Sequence, residues 1–340
     1  MLVVEKGEPG REASWAAGGM LADFPLEMPE ALHELATASA AMYPEFVDAL
    51  QDESGLKIDL RSQGTLLLSD QPPDARTAGN HILPARLAEL EPRLKPARAM
   101  TDANHAIYLN ERSVDPRQLS SAAIAALRHR GIDLSSGNEV LAVDLKDGKA
   151  CGIRTRKTQF RASCVVNCAG AWAAQVEPIH FPARPVKGQM LCVIMPEKEL
   201  IRHVVRTPEV YLIPRSDGRL LIGATVEDVG FDKRTVPETI QKLNRAAIDL
   251  VPDLAEARFL EAWAGLRPGT PDKLPILGAT AIDGYFVATG HFRDGILLAP
   301  ITAKIMAQII TGQQPSIDVS KFSAARFATS AGAESKLAAS

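Results

Sequence analysis

Apolar residues recur at helical spacing through PEALHELATASAAMYPEFVDAL and predict a helix over 32–50. IDLRSQGTLLLS then alternates around Gly64 as two strands and a turn, so this helix is followed by a hairpin. Asp115 stands as an N-cap before Pro116 at a first helical position, the amphipathic run continues to Arg130, and Gly131 supplies the stop. A β-rich section follows. VLAVDLKDGKACGIRT turns at Asp147-Gly148, FRASCVVNCAGAWA holds an apolar strand that ends at Ala169-Gly170, and VYLIPRSDGRLLIGAT turns at Asp217-Gly218. A helix over 239–250, strands near Phe259 and Tyr285, and a last long helix from about Gly295 complete the pattern. Neither an internal repeat nor a long linker interrupts it, so a second domain would be built from insertions into the first.

The opening LVVE reads as a strand that ends at an acid, Glu5. In a dinucleotide-binding unit an acid at the end of the second strand holds ribose hydroxyls, after a first strand and GxGxxG have cradled the pyrophosphate. Glu5 has the second-strand position, yet the 24 glycines form no GxGxxG. An ordinary surface strand end also fits a lone acid after an apolar run.

Composition narrows the classes. With 340 residues and 46% hydrophobic content the chain can bury about two ordinary cores. The net charge of -3 is spread along the chain without a basic cluster, which argues against nucleic acid as a partner. Cys151, Cys164, Cys168 and Cys192 lack CxxC pairing and histidines at ligand spacing, so we expect no metal and no disulfide framework, only buried free thiols. The start carries no secretory pattern, and the longest apolar stretch, 295–310, is broken by Lys304 and Gln308. A cytoplasmic protein with no membrane partner is expected. After Phe322 the chain is Ala/Ser-rich and predicts a disordered tail over 323–340.

Five strings resemble one family. They are SWAAGGML at 14–21, RPVKGQML at 184–191, VYLIPRSDGRLLIGAT at 210–225, EAWAGLRPGTPDKLPILG at 261–278 and ATGHFRDGILLAPITAKIMAQII at 288–310. In this order they resemble the glycine oxidase branch of the D-amino-acid oxidase family of FAD enzymes, from Leu2 to about Gly312. The resemblance implies a mixed α/β (α+β) fold: a Rossmann-like FAD-binding domain lacking its first strand and GxGxxG, plus an antiparallel-sheet substrate domain. Family members begin with that strand and motif, so the chain is expected to be truncated at its amino terminus. The implied division is 1–45, 112–176 and 262–322 for FAD binding, with 46–111 and 177–261 for substrate.

By family position Glu5 would bind the adenosine ribose and Val140 the adenine through its main chain. Ser14, Ala17, Gly18 and Met20 would run beneath the flavin, where a side chain at Gly18 or Gly19 would occupy the ring's place. Gly170 would let the chain after Cys168 pass close to the cofactor. Arg293, Asp294, Gly295, Ile296 and Leu297 would present a helix N-terminus to the flavin, favouring negative charge on the reduced ring. Asp294 stands where relatives commonly carry Asn, and would either face the ring or cap the helix. Arg267 would clamp the substrate carboxylate through its planar fork, with Tyr211 as a phenolic donor and Arg293 near the substrate mouth. Glu209 replaces a family histidine, which bears on substrate choice.

The implied reaction moves a hydride from the α-carbon of glycine, or of another small amino acid or amine, to FAD. Water then gives the 2-oxo acid and ammonia, and O2 becomes hydrogen peroxide. The cofactor supplies the redox chemistry, so no obligatory general base is expected. The family also implies a place in thiamine synthesis and a homo-oligomer. No cysteine lies near GLRPGT or the last helix, so FAD is expected to be non-covalent. Two other readings stand beside this one: a catalytically silent remnant unable to hold FAD, and a D-amino-acid dehydrogenase passing electrons to a quinone.

Overall fold

The computed structural model describes residues 1–24, 28–69, 78–94 and 105–327. Several elements follow directly from local signals. The Asp115 carboxylate accepts from the backbone amides of Arg117 (2.9 Å) and Gln118 (3.3 Å), capping the helix Pro116–His129, and Gly131 takes φ +66° just beyond its end. Strands Val140–Lys146 and Lys149–Thr155 pair as a hairpin through Asp147 and Gly148, which take φ +51° and +77°. Positive φ at both centres matches the right-handed twist of the flanking strands.

Among the described residues the largest sheet has eight strands, in the order Arg258–Gly269, Arg184–Ile194, Arg219–Gly223, Tyr211–Pro214, Val204–Arg206, Thr65–Ser69, His105–Leu109 and His81–Ile82. Every neighbouring pair is antiparallel except Val204–Arg206 beside Thr65–Ser69. Period-two alternation gives this sheet two distinct faces. Leu66, Leu68, Leu191, Val193, Leu212, Leu220 and Ile222 form one core with Leu243, Ala247 and Leu250 of the helix Pro237–Leu250. The register puts Met190, Gly223, Tyr211, Arg206, Leu67 and Ile107 in one row on the other face.

Facing that row are parallel pieces of a second layer. Val165–Asn167 pairs in parallel with Tyr285–Thr289, which also pairs antiparallel with Ile276–Ala279. Leu2–Val4 pairs in parallel with Asp133–Ser135 as a separate sheet. Helices His33–Ser54 and Gly295–Ile310 pack together below, through Leu35, Tyr43, Val47, Leu298, Ile301 and Ile305. The architecture is mixed α/β.

Three expectations need correction. The strands flanking Gly64 do not pair with each other: Leu60–Arg61 joins Arg112–Val114, whereas Thr65–Ser69 joins the large sheet. The chain passes from one sheet to the other at Gly64 (φ +94°), where a Cβ would lie 2.6 Å from the Tyr108 hydroxyl. The helix His33–Ser54 and the strand Arg258–Gly269 run unbroken, and Val47 and Leu50 share a core with residues of the last helix. Residues 324–327 of the expected tail form a 3-10 turn, with Arg326 paired to Asp272 (2.8 Å); 328–340 lie outside the described residues. The cysteines are free, but only Cys192 is buried, while Cys164 and Cys168 are exposed.

Asp115 joins the two layers. Besides capping its helix, it accepts from Arg219 Nη2 at 2.7 Å while buried. Its burial is outweighed by Arg215 and Arg219, which hold its carboxyl below the usual range. Asp115→Asn keeps a competent cap but leaves buried guanidinium charge uncompensated, so we expect a loss of about 1–3 kcal/mol in denaturant unfolding. Because the folded state lowers this pKa, that contribution is complete above the unfolded value near 3.9 and disappears as pH falls below it. The wild type and Asp115→Asn curves should therefore converge in acid.

Candidate functional site

A cavity of about 2550 Å³ lies between the large sheet and the parallel layer. It is lined by Glu5, Val140, Gly170, Tyr211, Arg267 and Arg293. Ser14, Ala17, Gly18, Met20, Asp294, Gly295 and Ile296 also line it. Of the residues expected from sequence, Leu297 alone lies elsewhere. Its side chain is buried in the core with Leu298 and Ile301, because the helix turns that position away from the cavity.

Close approaches that only small residues permit shape the site. Gly18 packs down onto the sheet, where a Cβ would lie 2.6 Å from Ile213 Cδ1, and Gly19 (φ +75°) sits where a Cβ would collide with the Val114 carbonyl. Gly19 is thus required by its own backbone conformation and the Val114 carbonyl, whereas at Gly18 the neighbour is the end of the Ile213 side chain. Below the loop, Arg215 is almost wholly buried and donates to the Gly18 carbonyl at 2.6 Å. Burial lowers its guanidinium to about 10, opposed by Asp115 and Asp59. On the loop's other side Trp263 Nε1 donates to the Ala16 carbonyl (3.0 Å), and Arg117 stacks between Trp15 (3.6 Å) and Trp263 (4.5 Å) while paired to Glu261.

Arg267 comes from the same strand as Trp263. Its guanidinium lies over Gly188, at a place any Cβ there would fill, and Nη1 donates to the carbonyls of Thr225 (3.0 Å) and Lys187 (3.4 Å). Among the described residues Arg267 has no carboxylate partner, so its charge faces the cavity oriented but not neutralised. Tyr211 stands nearby in the sheet row, its hydroxyl 3.8 Å from Met190 Sδ, and burial raises its phenol against the opposing pull of Arg267.

The turn after Tyr285–Thr289 brings the third group. Gly290 (φ +78°) fits against Thr270, Phe292 N donates to the Pro268 carbonyl at 2.9 Å, and Asp294 occupies the N-cap of the helix Gly295–Ile310. Asp294 makes no capping hydrogen bond with its side chain and faces the cavity. The helix N-terminus therefore presents its orphan amides to the same space as Arg267.

Further residues join the lining, of which Arg206 and His291 were not singled out from sequence. Arg206, Glu209, Cys164, Cys168 and His291 all line the cavity. Strand alternation could have found Arg206, because it pairs directly with Tyr211. His291, inside GHFR, reaches Thr302 Oγ1 at 3.1 Å, and burial pushes its imidazole down to about 4. No group of three His, Cys, Asp or Glu able to hold a metal occurs among the described residues, nor does a helix long and apolar enough to cross a membrane.

The lining suits a flavin nucleotide. It includes an acid, Glu5, suited to a ribose, and small residues and a helix N-terminus suited to a planar ring with a polar edge. An arginine fork then awaits a carboxylate. Fold and lining together fit a flavin-dependent oxidoreductase. The chain belongs to the family described as FAD dependent oxidoreductase, whose model matches residues 1–309. It is 34% identical over 334 residues to a glycine oxidase of Pseudomonas aeruginosa, covering 95% of this chain and 91% of that one. A bifunctional protein ThiO/ThiG of Synechocystis is 34% identical over 93% of this chain, which spans 48% of that larger relative. The crystal structure of glycine oxidase from Geobacillus kaustophilus superposes with a TM-score of 0.87 at 31% identity, covering 95% of this chain and 90% of that one. The protein is an FAD-dependent enzyme of the amino-acid oxidase type.

The half-buried His291 gives this site a pH signature. Its folded value near 4 lies below the unfolded value near 6.5, so the unfolded chain takes up the proton first as pH falls. Stability should drop across this window by at most about 1.4 kcal/mol per pH unit. His291→Asn should remove that component, and denaturant midpoints at pH 7 and pH 5 measure it.

Proposed function

We propose that this chain oxidises glycine or another small amino acid or amine to the imino acid, with release of the 2-oxo acid and ammonia after water addition. The observation that carries this reading is Arg267, held by two carbonyls over Gly188 with its charge turned toward the cavity. FAD, when bound, supplies the chemistry by accepting a hydride from the substrate α-carbon and passing the electrons to O2, which yields hydrogen peroxide.

The protein's own part is to bind and orient. Arg267 holds the carboxylate through parallel hydrogen bonds, and the Tyr211 hydroxyl donates to the same group, so the α-carbon is presented in one pose. Tyr211 stays protonated, because burial raises its phenol, and His291 stays neutral across the working range. Glu5 would accept from ribose hydroxyls, Val140 would meet the base through its main chain, and the loop Ser14–Met20 would lie against the ring. The amides at Gly295, Ile296 and Leu297 would favour electron density at its polar edge. Cys192 lies outside this cavity lining, and neither Cys164 nor Cys168 adjoins the Arg267 or Gly295 segments in sequence; this supports a dissociable cofactor. The fused ThiO/ThiG relative supports a place in thiamine synthesis.

Incubation with excess FAD followed by desalting should leave flavin absorbance that bleaches anaerobically on adding glycine, with peroxide formed on readmitting O2. A colourless protein would favour the silent remnant, and bleaching without peroxide would favour a dehydrogenase. Arg267→Met should raise KM for the amino acid on the order of 10²-fold, since a charge-assisted bidentate contact contributes about 1.5–3 kcal/mol, and Tyr211→Phe about 10-fold.

A further inference from the structure

Behind Arg267, on the opposite face of the large sheet, lies a polar network that the reaction does not use. Lys187 is buried to 2% exposure, an expensive location for an ammonium unless it is paired. Its Nζ lies 3.6 Å from Glu227 Oε2, and the two residues also exchange both backbone N–H···O bonds at 2.9 Å. Glu227 Oε1 accepts from the Thr225 hydroxyl and from Gln189 Nε2 (2.8 Å). The Thr225 hydroxyl in turn accepts from the Gln189 backbone amide at 2.9 Å, and Gln189 Oε1 accepts from Val236 N at 2.6 Å. One carboxylate thus ties the strand Arg184–Ile194 to residues 225–227.

Those are the two segments whose carbonyls orient Arg267. Nη1 uses Thr225 O and Lys187 O as acceptors, and both residues point their side chains into the network behind. A clamp for an anionic substrate faces a physical conflict: an arginine fixed by a carboxylate is neutralised, and one fixed by nothing wanders. Carbonyl acceptors resolve it only if the carbonyls themselves are rigid. The Lys187–Glu227 pair has no net charge, so it can stiffen the support without drawing on the field of Arg267.

We propose that Lys187, Glu227, Gln189 and Thr225 are positioning residues that set the affinity of Arg267 for the substrate carboxylate without touching substrate. The inference rests on the reading of Arg267 as the carboxylate clamp. It requires Lys187→Met and Thr225→Val each to weaken binding of a small monocarboxylate on the order of 10-fold, with bound FAD and kcat unchanged within about twofold. Lys187→Arg and Thr225→Ser should restore most of it.

Calorimetric titration of acetate into the FAD-loaded protein reads this directly, beside KM for glycine and the melting temperature of each variant. In an Arg267→Met background Lys187→Met and Thr225→Val should have no further effect on acetate. Unchanged acetate affinity in both single variants would overturn the proposal, as would an equal loss with and without Arg267, which marks a general packing defect. Absence of acetate binding to the unmutated protein would also overturn it. Should acetate bind through Arg267 while glycine fails to reduce the flavin, the proposed oxidation falls and the positioning role is judged on acetate alone. Thr225→Val keeps the test alive if Lys187→Met fails to fold.

Discussion

The closeness with which Arg267 lies over Gly188 governs the site. A Cβ at position 188 would occupy the guanidinium's place, so the arginine reaches across the neighbouring strand only because that strand presents bare backbone there. Gly223 repeats the device, since a Cβ would fall 2.8 Å from Tyr211 and 2.9 Å from Met190. Side chains omitted from the middle of a sheet create a trough, and the trough is where Arg267 and Tyr211 meet. Glycine weakens a strand interior, so the long pairing of Arg184–Ile194 with Arg258–Gly269 is what makes the trough sustainable.

The large sheet does two kinds of work with its two faces. One face buries leucine and isoleucine against the helix Pro237–Leu250 and supplies the hydrophobic stability. The cavity face is freed to carry groups that would be destabilising in a core, Arg206, Tyr211 and Arg267 among them. The Ser14–Met20 loop is then fixed from both sides, by Arg215 beneath and by the stack of Trp15, Arg117 and Trp263 beside it. Binding energy for a cofactor is used best on a surface already rigid before the ligand arrives.

Much of this was legible in the chain. The Asp115 cap, the Asp147-Gly148 turn and the helix starting at Gly295 are written in adjacent residues, and the long strings around Arg267 and Arg293 marked the family. That the Leu297 side chain enters the core is not written in the motif string, which does not say which way each helical residue turns. The pairing around Gly64 was misread for another reason: two adjacent strands with a turn between them look like a hairpin whether or not they belong to one sheet.

Sequence by itself therefore determined several caps, turns and helices and the family they serve, because caps, turns and periodicity are interactions among near neighbours. Tertiary structure alone decided that Gly19 is required by the Val114 carbonyl, that Cys164 and Cys168 face the cavity, and that Lys187 and Glu227 meet behind the clamp. Those contacts join positions far apart in the chain. Alternation fixes which face of a strand a residue occupies, but only the assembled sheet shows what waits on that face.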